Sequence, residues 1–322
     1  MRQFAKPTIV VSKCLEFDAC RYNGEMIPDV TIRNLQPFVT FIPVCPEVEI
    51  GLGTPRETIR IVEENGENRL VQPSTREDVT EKMEQFSNDF LQTIPDVDGF
   101  ILKNRSPSCG TRDVKIYSGF EKAPAKGKGA GLFGGAVVKK FSHLPIEEEG
   151  RLSNFIIREH FFTRLFTIAY YKMIKHNKNM KELVSFQSDN KYLFMAYNQV
   201  KQKELGRIIA NQKNEKIEVV FENYEKTLYE LFMRAPRYTS NVNVCEHIFG
   251  YFKKKLKKQE KDHFIELLQK YAEKKIPLSS LLTILKSWAI RFDEKYLLRQ
   301  TYFEPYPEAL VEISDSGKGR DY

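Results

Sequence analysis

The chain predicts an α/β N-terminal domain with a mainly parallel sheet, followed by an all-α helical C-terminal domain. Three observations carry this. Before residue 150, short apolar runs such as "PTIVVSKCL" and "FVTFIPVC" alternate with helical stretches. After it, apolar residues recur at helical spacing and no strand-like run stands out. The charge also changes sign. Residues 1–150 carry 19 Lys+Arg against 22 Asp+Glu, whereas residues 151–322 carry 31 against 21. The two halves therefore expose different surfaces, open to different partners.

Taken in order, "PTIVVSKCL" is a buried strand entered after Pro7. "DVTIRNLQP" is too short for more than one turn of helix, and "FVTFIPVC" is the second strand. "STREDVTEKMEQFSNDFLQTI" is a helix that Ser74 or Thr75 can cap, with Val79, Met83, Phe86, Phe90 and Leu91 on one face. "VDGFILKNRS" is the third strand. "GKGAGLFGGAVVKKFS" predicts a glycine-rich turn and a fourth strand, "AVVKKF". A linking helix is expected over 151–186, its aromatic residues covering much of its surface so that it packs against both domains. The helical domain follows over 187–310. One helix repeats apolar positions at Ile217, Val220, Tyr224, Leu228 and Leu231. Pro277 separates the last two helices at a permitted helix start. Residues 311–322, polar and glycine-containing, are expected to be a disordered tail.

With 41% hydrophobic and 29% charged residues the composition is that of an ordinary soluble protein. "MRQFAKPTIVV" lacks the apolar core of a secretory signal, and the best apolar run, "FFTRLFTIAYY", is broken by Arg164. The expectation is a cytoplasmic protein without a membrane partner. Five cysteines, an odd number, argue against a disulfide framework in that compartment.

Cys14, Cys45 and Cys109 each close an apolar run at or just past a strand's carboxyl end. In an open parallel sheet those ends share one edge, where ligands bind, so three distant cysteines should converge. Free cysteine is also a common buried residue, which is the plainer account of any one of them. Thiolates select zinc, copper(I) or iron–sulfur clusters. Structural zinc usually takes close-set pairs such as C-x₂-C, and none is present. Three isolated thiolates suit an iron–sulfur cluster with one iron left open. Cys20, in "DACRYNG", either completes the ligand set or shapes a substrate pocket; Cys245 reads as a buried structural thiol. Glu47, two residues past Cys45, is a candidate acid or base whose pKa a dry pocket could raise. "KNRSPSCG" offers Lys103, Arg105, Ser106 and Ser108, or simply a strand-to-loop turn, and Arg56 in "GLGTPRE" could hold an anionic edge of a ligand. "GKGAGLFGG" lacks the lysine and hydroxyl of a phosphate-cradling loop.

"VSKCL", "CRYNG", "PVCPEVEIGLGTPR" and "LKNRSPSCG", in this order, resemble the YbbK-type bacterial family that includes thiouracil desulfidase, over residues 5–145. The resemblance implies a [4Fe–4S] cluster held by Cys14, Cys45 and Cys109, its fourth iron accepting thiocarbonyl sulfur. Glu47 would match the family's catalytic acid or base, and a serine of "SPSC" its second group, Ser106 in preference to Ser108. Cys20, Lys103 and Arg56 would shape the substrate pocket. Lys13 and Asn23 depart from the usual pattern, which leaves the exact substrate open. The expected substrate is a small thionated base or thioamide, desulfurated by substitution without an external electron donor. The rival reading is a cluster- or zinc-containing module that binds nucleic acid or senses redox state. "YLFMAYNQVKQKELGRIIAN" and "YFEPYP" resemble the YbgA-type domain, which is often fused behind such a domain. There Tyr192, Gln199, Glu204, Gly206 and Arg207 form either a polar site or one face of an ordinary helix. Lys253, Lys254, Lys257, Lys258 and Lys261 are expected on one side of a helix opposite Ile248, Phe249, Phe252 and Leu256. A solvated face accounts for them; nucleic-acid binding is the sharper reading.

Overall fold

The computed structural model describes residues 2–120, 124–210 and 214–312. The chain divides into two compact units, which are described separately. The first runs to Ala169 and takes back the stretch from Ala309; the second is Tyr170–Glu308.

In the first unit the chain forms β1 (Thr8–Ser12), α1 (Val30–Leu35), β2 (Thr40–Val44), α2 (Pro46–Glu49), β3 (Arg60–Glu64), β4 (Glu67–Gln72), β5 (Glu77–Asp78) and α3 (Thr80–Thr93). It continues through β6 (Gly99–Leu102), β7 (Val114–Tyr117), β8 (Ala125–Gly129), α4 (Leu132–Phe141), β9 (Ile146–Glu148), α5 (Glu149–Leu152) and the start of α6 (Phe155–Asn177). Strands β2-β1-β6-β9 make one sheet, parallel throughout. Its centre reads as the sequence predicts: Ile9, Val10 and Val11 have no solvent exposure. Each such side chain contributes about 1.5–3 kcal/mol by leaving water. The parallel register sends the carboxyl ends of β1, β2 and β6 to one edge.

A second sheet, in the order β5-β4-β3-β7-β8, was not foreseen. It is antiparallel except for the β3–β7 pair. Its segments are short and rich in charged residues and glycine, so no apolar run marks them as strands.

Two sequence expectations fail here for identifiable reasons. "AVVKKF" is not a fourth strand but the body of α4. Phe133, Val137 and Phe141 recur every fourth residue, a helical period that the Val-Val pair masks. Neither Ser74 nor Thr75 caps the following helix. That helix begins at Thr80, beyond β5, and the Asp78 carboxylate accepts from the Thr80 amide at 2.9 Å. "DVTIRNLQP" does hold the short helix α1, capped by Asp29, which accepts from the Ile32 amide at 2.9 Å.

The second unit is all helical: the end of α6, then α7 (Met180–Asp189), α8 (Lys191–Tyr197), α9 (Gln199–Ala210), α10 (Ile217–Leu231), α11 (Tyr238–Gly250), α12 (Lys258–Ala272), α13 (Leu278–Arg291) and α14 (Lys295–Leu298). Its core gathers Tyr171, Phe186, Phe194, Tyr224, Phe252 and Phe264. The lysine stripe is corrected. Residues 251–257 form a turn between α11 and α12, so Lys253 and Lys254 lie on no helix face, although Ile248, Phe249, Phe252 and Leu256 are buried as expected. Among the described residues no helix is long and apolar enough to cross a membrane. The expected tail from residue 313 onward lies outside the described residues.

Candidate active site

The edge where β1, β2 and β6 end is laced by their own backbone. The Lys13 amide donates to the Val44 carbonyl at 2.8 Å, and the Lys103 amide donates to Ser12 Oγ at 2.9 Å. Cys14 therefore lies two residues past the end of β1, and Cys45 follows β2 as the extended residue ahead of α2, where Pro46 takes the first helical position. The loop after β6 brings Cys109 back to the same edge. A turn in which the Gly110 amide donates to the Ser106 carbonyl at 2.9 Å fixes its shape.

These ends surround a cavity of about 360 Å³. Cys14, Cys20, Cys45 and Cys109 all line it, together with Glu47, Arg56, Lys103 and Ser106. That volume lies at the low end of small-ligand sites. Ser108 is fully buried behind the wall. Cys245 lies elsewhere, buried in the helical unit with its sulfur 3.8 Å from the Tyr302 hydroxyl. Among the described residues, no group of three or more His, Cys, Asp or Glu side chains is arranged to hold a single metal ion.

Glu47 divides its two oxygens. Arg56 Nε and Nη2 both donate to Oε2, at 2.8 and 2.6 Å. Ser108 Oγ donates to Oε1 at 2.5 Å, and Ser106 Oγ lies 2.9 Å from Ser108 Oγ. Ser106 Oγ also accepts from the amides of Ser108 (3.3 Å) and Cys109 (3.1 Å). With those contacts made, its proton points to Ser108. The result is a hydrogen-bonded line from the cavity wall at Ser106, through Ser108, to Glu47. Arg56 Nη1 also donates to the Cys20 carbonyl at 2.9 Å, tying the Cys20 loop to the carboxylate.

The thiols are poorly solvated. Burial, and then the neighbouring Cys45, push Cys14 up to about 12, while Lys103 opposes them. Burial and Cys45 likewise push Cys20 up to about 12. Burial lifts Cys109 well above the ordinary thiol range, against the Ser12 hydroxyl. Lys13, Arg21, Arg56, Lys103 and Arg105 bring five positive charges to the cavity wall.

The glycine-rich stretch has a structural task. The amides of Gly131, Leu132 and Gly134 donate to the carbonyls of Gly110, Pro107 and Ser108, at 2.7, 3.2 and 2.9 Å. The start of α4 thus holds the loop that bears Ser106, Ser108 and Cys109, and these amides are not free to cradle a phosphate. A Cβ on Gly134 would lie 2.3 Å from the Gly110 carbonyl oxygen, which is why glycine stands there. Sequence reasoning also passed over "EEE", residues 147–149. All three glutamates are buried, and Glu148 and Glu149 contact the same loop. An acidic triplet closing an apolar strand was the signal available.

In the helical unit the residues read as either a polar site or one helix face divide between two helices. Tyr192 is buried on α8, its hydroxyl 3.2 Å from that of Tyr251, whereas Gln199 and Arg207 are exposed on α9.

Comparison with known proteins follows the same division. Residues 9–149 match the family described as 2-thiouracil desulfurase, and residues 191–307 match a family of unknown function, DUF1722. The chain is 36% identical over 118 residues to the uncharacterized protein YbbK of Bacillus subtilis (strain 168), covering 34% of this chain and 77% of that protein. It is 22% identical over 156 residues to the uncharacterized protein YbgA of Escherichia coli (strain K12), covering 48% of this chain and 92% of that one. A solved structure titled [4Fe-4S]-dependent thiouracil desulfidase TudS is 26% identical and covers 46% of this chain and 93% of that one. The TM-score is 0.36, too loose a superposition to transfer geometry.

Proposed function

This chain belongs to the 2-thiouracil desulfurase family, and on that premise we propose that it exchanges the sulfur of a thionated base for oxygen in a non-redox, [4Fe–4S]-dependent reaction. The observation that carries the reading is the gathering of the strand-end thiols Cys14, Cys45 and Cys109 around one cavity that also holds Glu47 and Ser106.

The donor set fits such a cluster. One tetrahedral zinc would need its thiolates about 3.8 Å apart, given a Zn–S bond of ~2.3 Å. A cluster binds each thiolate to a different iron, so its ligands sit around a common space, and Cys14, Cys45 and Cys109 line one cavity. Coordination would also offset the burial that favours the protonated forms of Cys14 and Cys109, since a ligating thiol loses its proton outright. Of the five cations on the wall, Lys13, Arg21, Arg56 and Lys103 already pair with Asp18, Glu25, Glu47 and Glu149.

When bound, the cluster supplies one thiophilic, Lewis-acidic iron open to the substrate. The chain's own groups handle the proton. Arg56 anchors Glu47 through Oε2, and Ser108, backed by Ser106, donates to one lone pair of Oε1. Glu47 lines the cavity, so a water hydrogen-bonded to the other lone pair of Oε1 would give its proton to the carboxylate as its oxygen attacks the thiocarbonyl carbon. Thiocarbonyl and water become carbonyl and hydrogen sulfide, so no electron donor is required. Cys20 is assigned to the pocket wall.

Changing Cys14, Cys45 or Cys109 to Ser should abolish the iron–sulfur absorbance after anaerobic reconstitution, whereas Cys20→Ser should keep most of it. Loss in Cys20→Ser would overturn the three-ligand set.

A second reading concerns the helical half. Lys253, Lys254, Lys255, Lys257 and Lys258 are all exposed at one turn and its exit. Lys255 pairs with Glu294, and the remaining four are the charges through which an anionic partner such as nucleic acid would be held.

A further inference from the structure

The proposed reaction leaves the glutamates that end β9 without a task. Glu148 accepts from the Thr111 amide at 2.7 Å, the Thr111 hydroxyl at 3.0 Å and the Arg112 amide at 3.3 Å. Glu149 accepts from the Asn104 amide at 2.8 Å and pairs with Lys103 Nζ. Adjacent carboxylates therefore grip the two ends of the loop that carries Ser106, Ser108 and Cys109. The register explains how: β9 runs parallel to β6 with Glu148 opposite Leu102, so both strands release their chains at the same edge. Gly150 permits the close approach, because a Cβ there would lie 2.4 Å from Asn104 Nδ2.

Lys103 itself lines the cavity. Its ammonium has three N–H donors. Asn104 Oδ1, at 2.5 Å, takes one and Glu149 takes another. We propose that Glu149 is a positioning residue. It fixes Lys103 so that the remaining N–H is presented to an acceptor on the bound ring, a ready-made donor that needs no reorganisation. The inference rests on the reading of this cavity as the reaction site and deepens it. It selects heteroaromatic thiocarbonyls that carry a second acceptor, a carbonyl oxygen or ring nitrogen, over simple thioamides.

Uracil, the sulfur-free product of thiouracil, is the binding probe for the full-length, cluster-loaded protein, alongside kinetics with thiouracil. E149Q and K103M should each weaken uracil binding about tenfold, the loss of one hydrogen bond to a charged group. KM should rise by a similar factor, with kcat held within about twofold. Iron and sulfide content should not change. The double variant should bind no more weakly than either single variant, because both remove the same donor. Should E149Q fail to fold, K103M carries the test alone. E148Q should speed hydrogen exchange at Thr111 and Arg112 yet leave uracil binding within about threefold, less than the loss of one such bond. The proposal is overturned if K103M binds uracil like the wild type, if the losses multiply in the double variant, or if E148Q weakens binding as much as E149Q. A wild-type protein that shows the predicted binding pattern but leaves thiouracil unchanged supports the positioning role and sinks the desulfuration reading.

Discussion

Glu47 is where residue chemistry and local geometry meet. Its side chain is 13% exposed and its partner Arg56 only 4%, so the pair is well shielded from water and from salt. Arg56 occupies one oxygen and Ser108 the other. Glu47→Gln should keep the cluster and lose turnover by ~10²–10⁴-fold, the usual contribution of a proton-transfer residue. Wild-type turnover of thiouracil by that variant would end the assignment. The serines test the line between them. Ser106→Ala removes the hydroxyl at the cavity wall, and Ser108→Ala removes the link to Glu47, so both should be impaired. The sequence could single out Glu47 by its place after Cys45. It could not say that Ser108, two residues from Ser106, is the direct partner of the carboxylate. The turn closed by Gly110 decides which hydroxyl reaches the cavity and which lies behind it.

At the scale of elements, α4 shows how a glycine can serve one packing contact. Gly134 and Gly135 are neighbours in the same helix with opposite surroundings. A Cβ on Gly134 would meet the carbonyl oxygens of Gly110 and Cys109 at 2.3 and 2.4 Å, backbone atoms that can yield only by moving the cysteine loop. A Cβ on Gly135 would meet nothing nearer than Ala130 Cβ at 3.4 Å. Gly134→Ala should therefore lower stability by about 1–3 kcal/mol, the cost of overpacking, and impair cluster assembly. Gly135→Ala should be neutral or raise stability by up to about 1 kcal/mol, because alanine is the better helix former. Thermal unfolding of the two variants side by side checks this, and equal effects would count against the packing account. The strand expected at "AVVKKF" failed at this same scale. Two β-branched residues suggested a strand, whereas the fourfold spacing of Phe133, Val137 and Phe141 and the grip of the α4 start on the loop select a helix.

For the whole molecule, the charge asymmetry is the feature that composition alone exposes. Residues 151–322 carry 31 Lys+Arg and 21 Asp+Glu. If the helical half contacts RNA through phosphates, binding by the full chain should fall steeply as salt rises. Lys254, Lys257 and Lys258 changed together to Gln should flatten the slope of log K against log salt by about 2 to 3. A slope that those changes leave untouched would remove the lysine turn from the interface. The sequence by itself determined the two-part organisation, the buried strands β1, β2 and β6 that precede Cys14, Cys45 and Cys109, and the helical second half. Those are local properties: runs of buried aliphatic residues, helical spacing, and ligand types at strand ends are written in neighbouring positions. Only the tertiary structure decided what closes the site. The pairing of Arg56 with Glu47, the hydrogen bond of Ser108 to Glu47, and the hold of Glu148 and Glu149 on the loop after β6 join residues up to 61 positions apart. The second sheet belongs to the same class, since β3 pairs with β7 across the whole of α3 and β6. Each partner alone is an ordinary charged or hydroxyl side chain. What makes it specific is burial beside the other, and burial is settled by the packing of distant segments rather than by any stretch of sequence.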